Sequence, residues 1–200
     1  MGYVKQRQFA DEQAQYDWIL AIDADEVLSP ELEQGILSIK QNPLLDAYRF
    51  SRLNNYCGKW IKHSGWYPDK KLRLFNKTKG AWKGEMVHEY WEQHNKNAKV
   101  GYIKGNLLHY TYYTISDHIK QIEKFTEMSA RAAVANGRDC SILKVWLGPK
   151  WVFFSMYFLK LGFLDGYAGL LICRFNAFSS MIKYAKIRQY AELKRQGKFQ

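Results

Sequence analysis

A short apolar run, Trp18 to Ile22, ends directly on Asp23-Ala24-Asp25-Glu26, and Ser29-Pro30-Glu31 follows within a few residues. The run has the length of a strand and no polar position, which predicts a buried, central strand. A hydroxyl followed by Pro at the first helical position predicts a helix start, and Asn42-Pro43 its stop. Carboxylates at the carboxyl end of a strand in an open α/β sheet face the crevice where ligands bind. With one residue between them, Asp23 and Asp25 point to the same side, a pairing suited to a hard divalent cation held directly or through water. Such a cation neutralises a diphosphate and makes it a better leaving group. An EF-hand is excluded, because Val27 stands where its third acidic ligand belongs. The competing reading is that the acidic run only caps the helix after it.

Around this point the chain alternates in character. Residues 4 to 15 carry Val4, Phe9, Ala10 and Ala14 at helical spacing, and residues 46 to 110 are strand-rich, with AYRFSRL, KLRLF, VHEYW and VGYIKGNLLHY separated by Gly, Asn and Lys clusters. Thr114 with Asp117 three residues on predicts a capped helix whose apolar face is Ile115, Ile119, Ile122 and Phe125, running to Gly137. WVFFSMYFL and GYAGLLIC then form two intensely apolar segments, interrupted by Lys160, Asp165 and Arg174. Both fall short of the roughly 18 uncharged residues of a spanning helix. They suit helices lying in a membrane interface, or equally a buried hairpin or a dimer contact.

Thirty Lys and Arg against 19 Asp and Glu give the 200 residues a net charge of +11, yet 47% are hydrophobic, which excludes a disordered polyelectrolyte. Three cysteines, an odd number without a CxxC pair, argue against a secreted disulfide scaffold and a zinc cluster, and fit a reducing, cytoplasmic setting. The first residues lack the apolar core of a signal peptide. Nucleic acid, an acidic membrane face or a phosphorylated ligand can each account for the charge. A nucleic-acid module, however, interleaves its cations with stacking aromatics on one face. Here the basic residues accompany apolar segments, and an acidic pair sits at a strand end, so nucleic acid is not the expected partner.

The segment KQRQFADEQAQYDWILAIDADEVLSPEL resembles the region around the DxD motif of family 2 glycosyltransferases. KLRLFNK, GAWKGEMVHE, LLHYTYYTISDHIKQIEKF and LGFLDGYAGLLICRFNAFSSMIKYAK are similar to the bacterial branch that acts in lipopolysaccharide core assembly. The resemblance implies an α/β fold, part of a GT-A (Rossmann-like) transferase, with a helical C-terminal appendage. It divides the chain into the metal and acceptor half of the catalytic domain at 1–138 and a membrane-associating appendage at 139–200. Family members begin with a strand-helix-strand half that holds the nucleotide, and this chain starts after it, so the expectation is a fragment or a truncated gene. An inactive remnant is then the alternative to an active enzyme, and a basic nucleic-acid-binding protein the alternative of another class.

The resemblance also assigns roles. Asp23 and Asp25 would hold Mg²⁺ or Mn²⁺ on the diphosphate of a nucleoside-diphosphate-sugar donor, with His109 as a further ligand, since the similar enzymes carry a histidine after the last sheet strand. Arg7 would bind the same phosphates, a guanidinium being able to do so in bidentate fashion. Arg73 is read from the residues themselves: alternating with Leu72 and Leu74 in a predicted strand, it points away from their face and can reach the phosphates or the acceptor. An inverting transfer needs one carboxylate to take the acceptor hydroxyl's proton. Glu89 is the expected base, Glu85 its competitor and His88 an acceptor contact. Trp66 and Trp82 are expected to stack on acceptor sugars, although core packing explains most tryptophans. The acceptor would be lipid-linked or lipopolysaccharide core. The location implied is peripheral, on the cytoplasmic face of the plasma membrane, against anionic lipid.

Overall fold

The computed structural model describes residues 3–84 and 89–198. Two compact units emerge, one of residues 1–53 and 68–109, the other of residues 54–67 and 110–200. In chain order the elements are α1 (Tyr3–Gln13), β1 (Trp18–Leu20), β2 (Glu26–Leu28), α2 (Pro30–Gln41), β3 (Ala47–Tyr56), β4 (Lys59–Ile61), β5 (Asp69–Asn76), β6 (Gly80–Lys83), β7 (Tyr90–Gln93), β8 (Gly101–Tyr112), α3 (Ile115–Ala135), α4 (Ile142–Phe154) and α5 (Gly166–Arg195). The main sheet has the order β1-β5-β3-β8-β2, with β4 added to β3, while β6 and β7 form a separate ribbon. The architecture is mixed α/β with a helical C-terminal region, as expected of part of a Rossmann-like transferase.

The strand that the apolar run predicts exists, but it lies at the end of the sheet order and pairs antiparallel with β5, Trp18 opposite Asn76 and Leu20 opposite Leu74. Its apolar character has another cause. Trp18 and Leu20 pack with Leu32, Tyr48, Phe50 and Leu74 on one face, and Ile19 and Ala21 pack with Phe75, Trp82 and Trp91 on the other. A strand covered on both faces reads as continuous apolar sequence whether or not it is central.

The turn after β1 is set by α2. Ser29 caps that helix through the Leu32 amide, and its hydroxyl also accepts from the Asn106 amide of β8, while the Ser29 amide donates to the Asn106 carbonyl at 2.9 Å. The helix sits so close that a Cβ on Gly105, whose φ is +99°, would lie 2.4 Å from the Leu32 nitrogen. Glycine is needed there both for the left-handed backbone and for the approach. Leu32 is fully buried by this contact, a contribution of about 2 kcal/mol for a side chain of its size. The result is a fixed β2–β8 register in which Glu26 faces His109.

In the second unit α3 opens with the predicted capping box between Thr114 and Asp117. Its buried stripe is His118, Ile122, Thr126, Ala130 and Val134, which shares only Ile122 with the predicted face: Ile115, Ile119 and Phe125 are 40%, 47% and 39% exposed. Small residues explain the choice, because Ala130 and Val134 pack directly on Ile187 and Ala191 of α5. α4 continues through a π turn at Ser155–Leu159 and a 3₁₀ turn at Gly162–Asp165 into α5. Among the described residues no single helix is long and apolar enough to cross a membrane, although the α4 and α5 arms, bent by 73°, reach that length and composition together.

Candidate functional site

The acidic end of β1 and the start of β2 gather a network of ion pairs inside the first unit. Asp23 receives Arg7 on Oδ1 at 2.5 Å and Arg73 on Oδ2 at 2.9 Å. Glu26, whose side chain is fully buried, accepts the Asp23 amide on Oε2 at 2.9 Å and faces Arg73 and Arg52 at 3.4 Å each on Oε1. Arg52 in turn donates through Nε and Nη2 to Asp69 at 3.0 and 2.8 Å. A buried carboxylate is stable only when paired and hydrogen-bonded, and Glu26 is both. Burial pushes the Asp23 carboxyl up, but the Arg73 and Arg7 guanidiniums outweigh it and hold it below the usual carboxylate range.

Strand alternation puts these groups inside. Glu26 and Leu28 share one side of β2 and face the core while Val27 is 52% exposed. Arg73 lies between Leu72 and Leu74 in β5 at a register shift against β3, where Tyr48 pairs with Leu74 and Arg49 with Leu72. The partners of Arg73 are the carboxylates of Asp23 and Glu26. Glu26, Arg52 and Asp69 complete the network without any motif in the sequence to mark them. Glu26 was legible in retrospect from its parity with Leu28, and Arg52 from its parity with the buried Phe50.

Asp25 differs from its neighbours. Its side chain is 49% exposed, and Oδ2 lies 3.2 Å from Nε2 of His109, which the β2–β8 register brings alongside. Burial, reinforced by nearby Arg52, pushes the His109 pKa down against the opposing pull of Asp25 and Glu26, so the ring is neutral near pH 7. A carboxylate beside a neutral imidazole is a donor pair fit for a divalent cation, and Mg²⁺ commonly takes only one or two carboxylates, completing its shell with water and substrate phosphate. The expected trio of Asp23, Asp25 and His109 does not converge, since no cluster of three or more His, Cys, Asp or Glu suited to a metal occurs among the described residues. Asp23 is instead drawn to its two arginines.

Arg7 is presented by α1. Its guanidinium lies 5.0 Å from the centroid of the Trp82 ring, and the Trp82 indole donates to Asp11 of the same helix at 2.8 Å. Trp82 is 5% exposed and packs edge-on against Phe75. It is thus a support that seats α1 and Arg7, not an open platform for a sugar. Arg7, Asp23 and Trp82 border a cleft of about 470 Å³ between α1 and β1, walled otherwise by Ala10, Ile19 and Ala21. Trp66 belongs to the second unit, half-buried against Tyr56 and Tyr112. Glu89 is half-buried just before β7, while Glu85 and His88 lie outside the described residues.

The strand end is thus carboxylate-rich and ringed by guanidiniums, in a mixed α/β fold, and curated relatives of this chain are named glycosyltransferases. An uncharacterized glycosyltransferase of Rickettsia typhi is 27% identical over 198 residues, covering 94% of this chain and 68% of the relative. Its counterpart in Rickettsia prowazekii is 27% identical over 197 residues, with the same coverage. The lipopolysaccharide core biosynthesis glycosyltransferase LpsC of Rhizobium meliloti is 27% identical over 197 residues, covering 96% of this chain and 72% of that protein. No family model matches the chain. The resemblance noted in the sequence thus extends along nearly the whole chain to named glycosyltransferases, a lipopolysaccharide core enzyme among them.

Proposed function

We propose that this chain transfers a sugar from a nucleoside-diphosphate donor to a lipopolysaccharide-core or other lipid-linked glycan acceptor, with inversion at the anomeric carbon and dependence on Mg²⁺ or Mn²⁺. The observation that carries the reading is the strand end itself, where exposed Asp25 pairs with neutral His109 beside an Asp23 already gripped by Arg7 and Arg73. Asp25 and His109 would hold the cation, with Asp23 next to them. When bound, the cation would neutralise charge on the donor diphosphate and on the leaving group. Each guanidinium has five N–H donors, so Arg7 and Arg73 retain donors for phosphate oxygens while orienting Asp23.

Glu89 takes the proton of the acceptor hydroxyl as that oxygen bonds to the anomeric carbon and the bond to the diphosphate breaks on the opposite face. The same reading places the protein peripherally on the cytoplasmic face of the plasma membrane. Two variants test it. Asp25→Ala should abolish Mn²⁺ binding in titration calorimetry and abolish transfer while leaving the thermal unfolding curve in place; retained metal binding would remove Asp25 from the cation site. Glu89→Gln should lower turnover by about 100-fold or more, the scale of a lost general base, without weakening donor binding. An unchanged rate would shift the base to Glu85.

A further inference from the structure

α4 is an apolar helix in which no residue is buried. Leu143, Leu147, Trp151, Phe154 and Phe158 recur at three- and four-residue intervals along one face and on into the π turn, each between 45% and 68% exposed. The bend extends this face with Leu161, Phe163 and Leu164, also 44% to 55% exposed. A contiguous apolar face of this size marks an interaction surface.

The bend is held in this form from behind. Asp165, 4% exposed, accepts from the Lys62 amide at 3.2 Å, from the His63 amide at 2.9 Å and lies 3.1 Å from the His63 ring nitrogen, while the Ser64 amide donates to the Lys160 carbonyl at 2.9 Å. Leu161 is kept at φ 55° although it is not glycine. Left-handed backbone at such a residue costs about 1 kcal/mol and persists only where the surroundings enforce it. The polar anchoring of the bend therefore faces inward and its apolar side chains face out.

The charge around the face identifies what covers it. Between Ile142 and Arg174 the sequence carries Lys144, Lys150, Lys160 and Arg174, and its one carboxylate is the buried Asp165. From 139 to 200 there are ten Lys and Arg against three Asp and Glu, a net +7 of the chain's +11. Exposed tryptophan and phenylalanine in a stretch, 142–174, whose exposed charges are all cationic match an anionic lipid surface, where aromatic rings settle at headgroup level and each basic residue is attracted. We propose that the face formed by α4 and the 155–164 bend inserts into the interface of an anionic bilayer, with α4 lying along the membrane plane. The inference rests on the peripheral location in the proposed function and adds the surface that meets the lipid; lipid binding needs neither donor nor acceptor, so its test can fail without the transfer reading failing.

The test is co-sedimentation of the full chain with vesicles of phosphatidylcholine alone or with 30% phosphatidylglycerol, at low and high salt. The expected result is binding at least tenfold tighter to the anionic vesicles, weakened by salt, and quenching of tryptophan fluorescence by brominated acyl chains. The triple variant Trp151→Ser, Phe158→Ser, Leu164→Ser should lose at least tenfold in binding with an unchanged circular dichroism spectrum. Should that spectrum change, Lys150→Gln with Lys160→Gln, which leaves the apolar face intact, should still reduce binding to anionic vesicles severalfold. The inference is overturned if wild-type protein ignores anionic vesicles at low salt, if both variants bind as wild type does, or if sedimentation shows a dimer that the triple variant dissociates.

Discussion

The two units handle burial in opposite ways. In the first, Glu26 and Arg73 are 5% and 8% exposed and form part of an ion-pair network beneath the strand ends. In the second, Trp146 and Trp151 of α4 and Phe158 of the π turn after it are between 50% and 66% exposed. Taking paired charges out of water and leaving aromatics in it both oppose stability. On the functions proposed above, the first region would meet a charged diphosphate and the second an apolar phase bordered by negative charge.

The comparison breaks most easily at Arg73. Truncation by Arg73→Ala should leave Glu26 buried with only Arg52 at 3.4 Å as a charged partner, and urea denaturation should register a loss of about 3 to 5 kcal/mol, the cost of stranding a buried charge. A loss under about 1 kcal/mol would mean that water already reaches the network.

The second unit has its own buried titrating group, and its effect should be somewhat smaller. His118, 4% exposed, lies 3.1 Å from the Tyr56 hydroxyl and stacks on Tyr112, and burial pushes its pKa from 6.5 to about 4. Because the folded value is depressed, its contribution is fully present above pH 6.5 and is lost as the pH falls through about 4. Complete protonation should cost about 3 kcal/mol, at 1.36 kcal/mol per unit. Unfolding free energies taken between pH 7 and pH 4 should fall more steeply for wild type than for His118→Gln, and parallel curves would contradict the assignment.

The smallest effect is expected on the open face. Phe158→Ser should change stability by less than about 0.5 kcal/mol, as for other surface positions, whereas Ile172→Ala in the core of the same unit should cost about 3 kcal/mol. Equal losses in thermal melts would show that α4 is covered in solution.

Local features were legible where the signal lies within a few residues. The α2 boundaries followed from Ser29-Pro30 and Asn42-Pro43, and the α3 start from Thr114 and Asp117. The candidate site was half legible. Asp23, Asp25, Arg7, Arg73 and His109 could be named in advance, but not that Arg7 and Arg73 would seize Asp23 and leave Asp25 to His109. Nor could Trp82 be told from a sugar platform, because a buried indole and an exposed one have the same sequence neighbours.

The sequence by itself determined the α/β alternation, the acidic strand end, the helix caps and the concentration of positive charge after residue 139, all properties of short stretches or of composition. Only the tertiary structure decided that β1 lies at the end of the sheet order, that α3 buries His118 and Ala130 instead of Ile115 and Ile119, and that the most apolar helix keeps its outer face exposed. The reason is common to all three. An apolar side chain carries the same transfer free energy wherever it stands, and whether a neighbour covers it depends on shape complementarity between segments far apart in the chain, which no local pattern records.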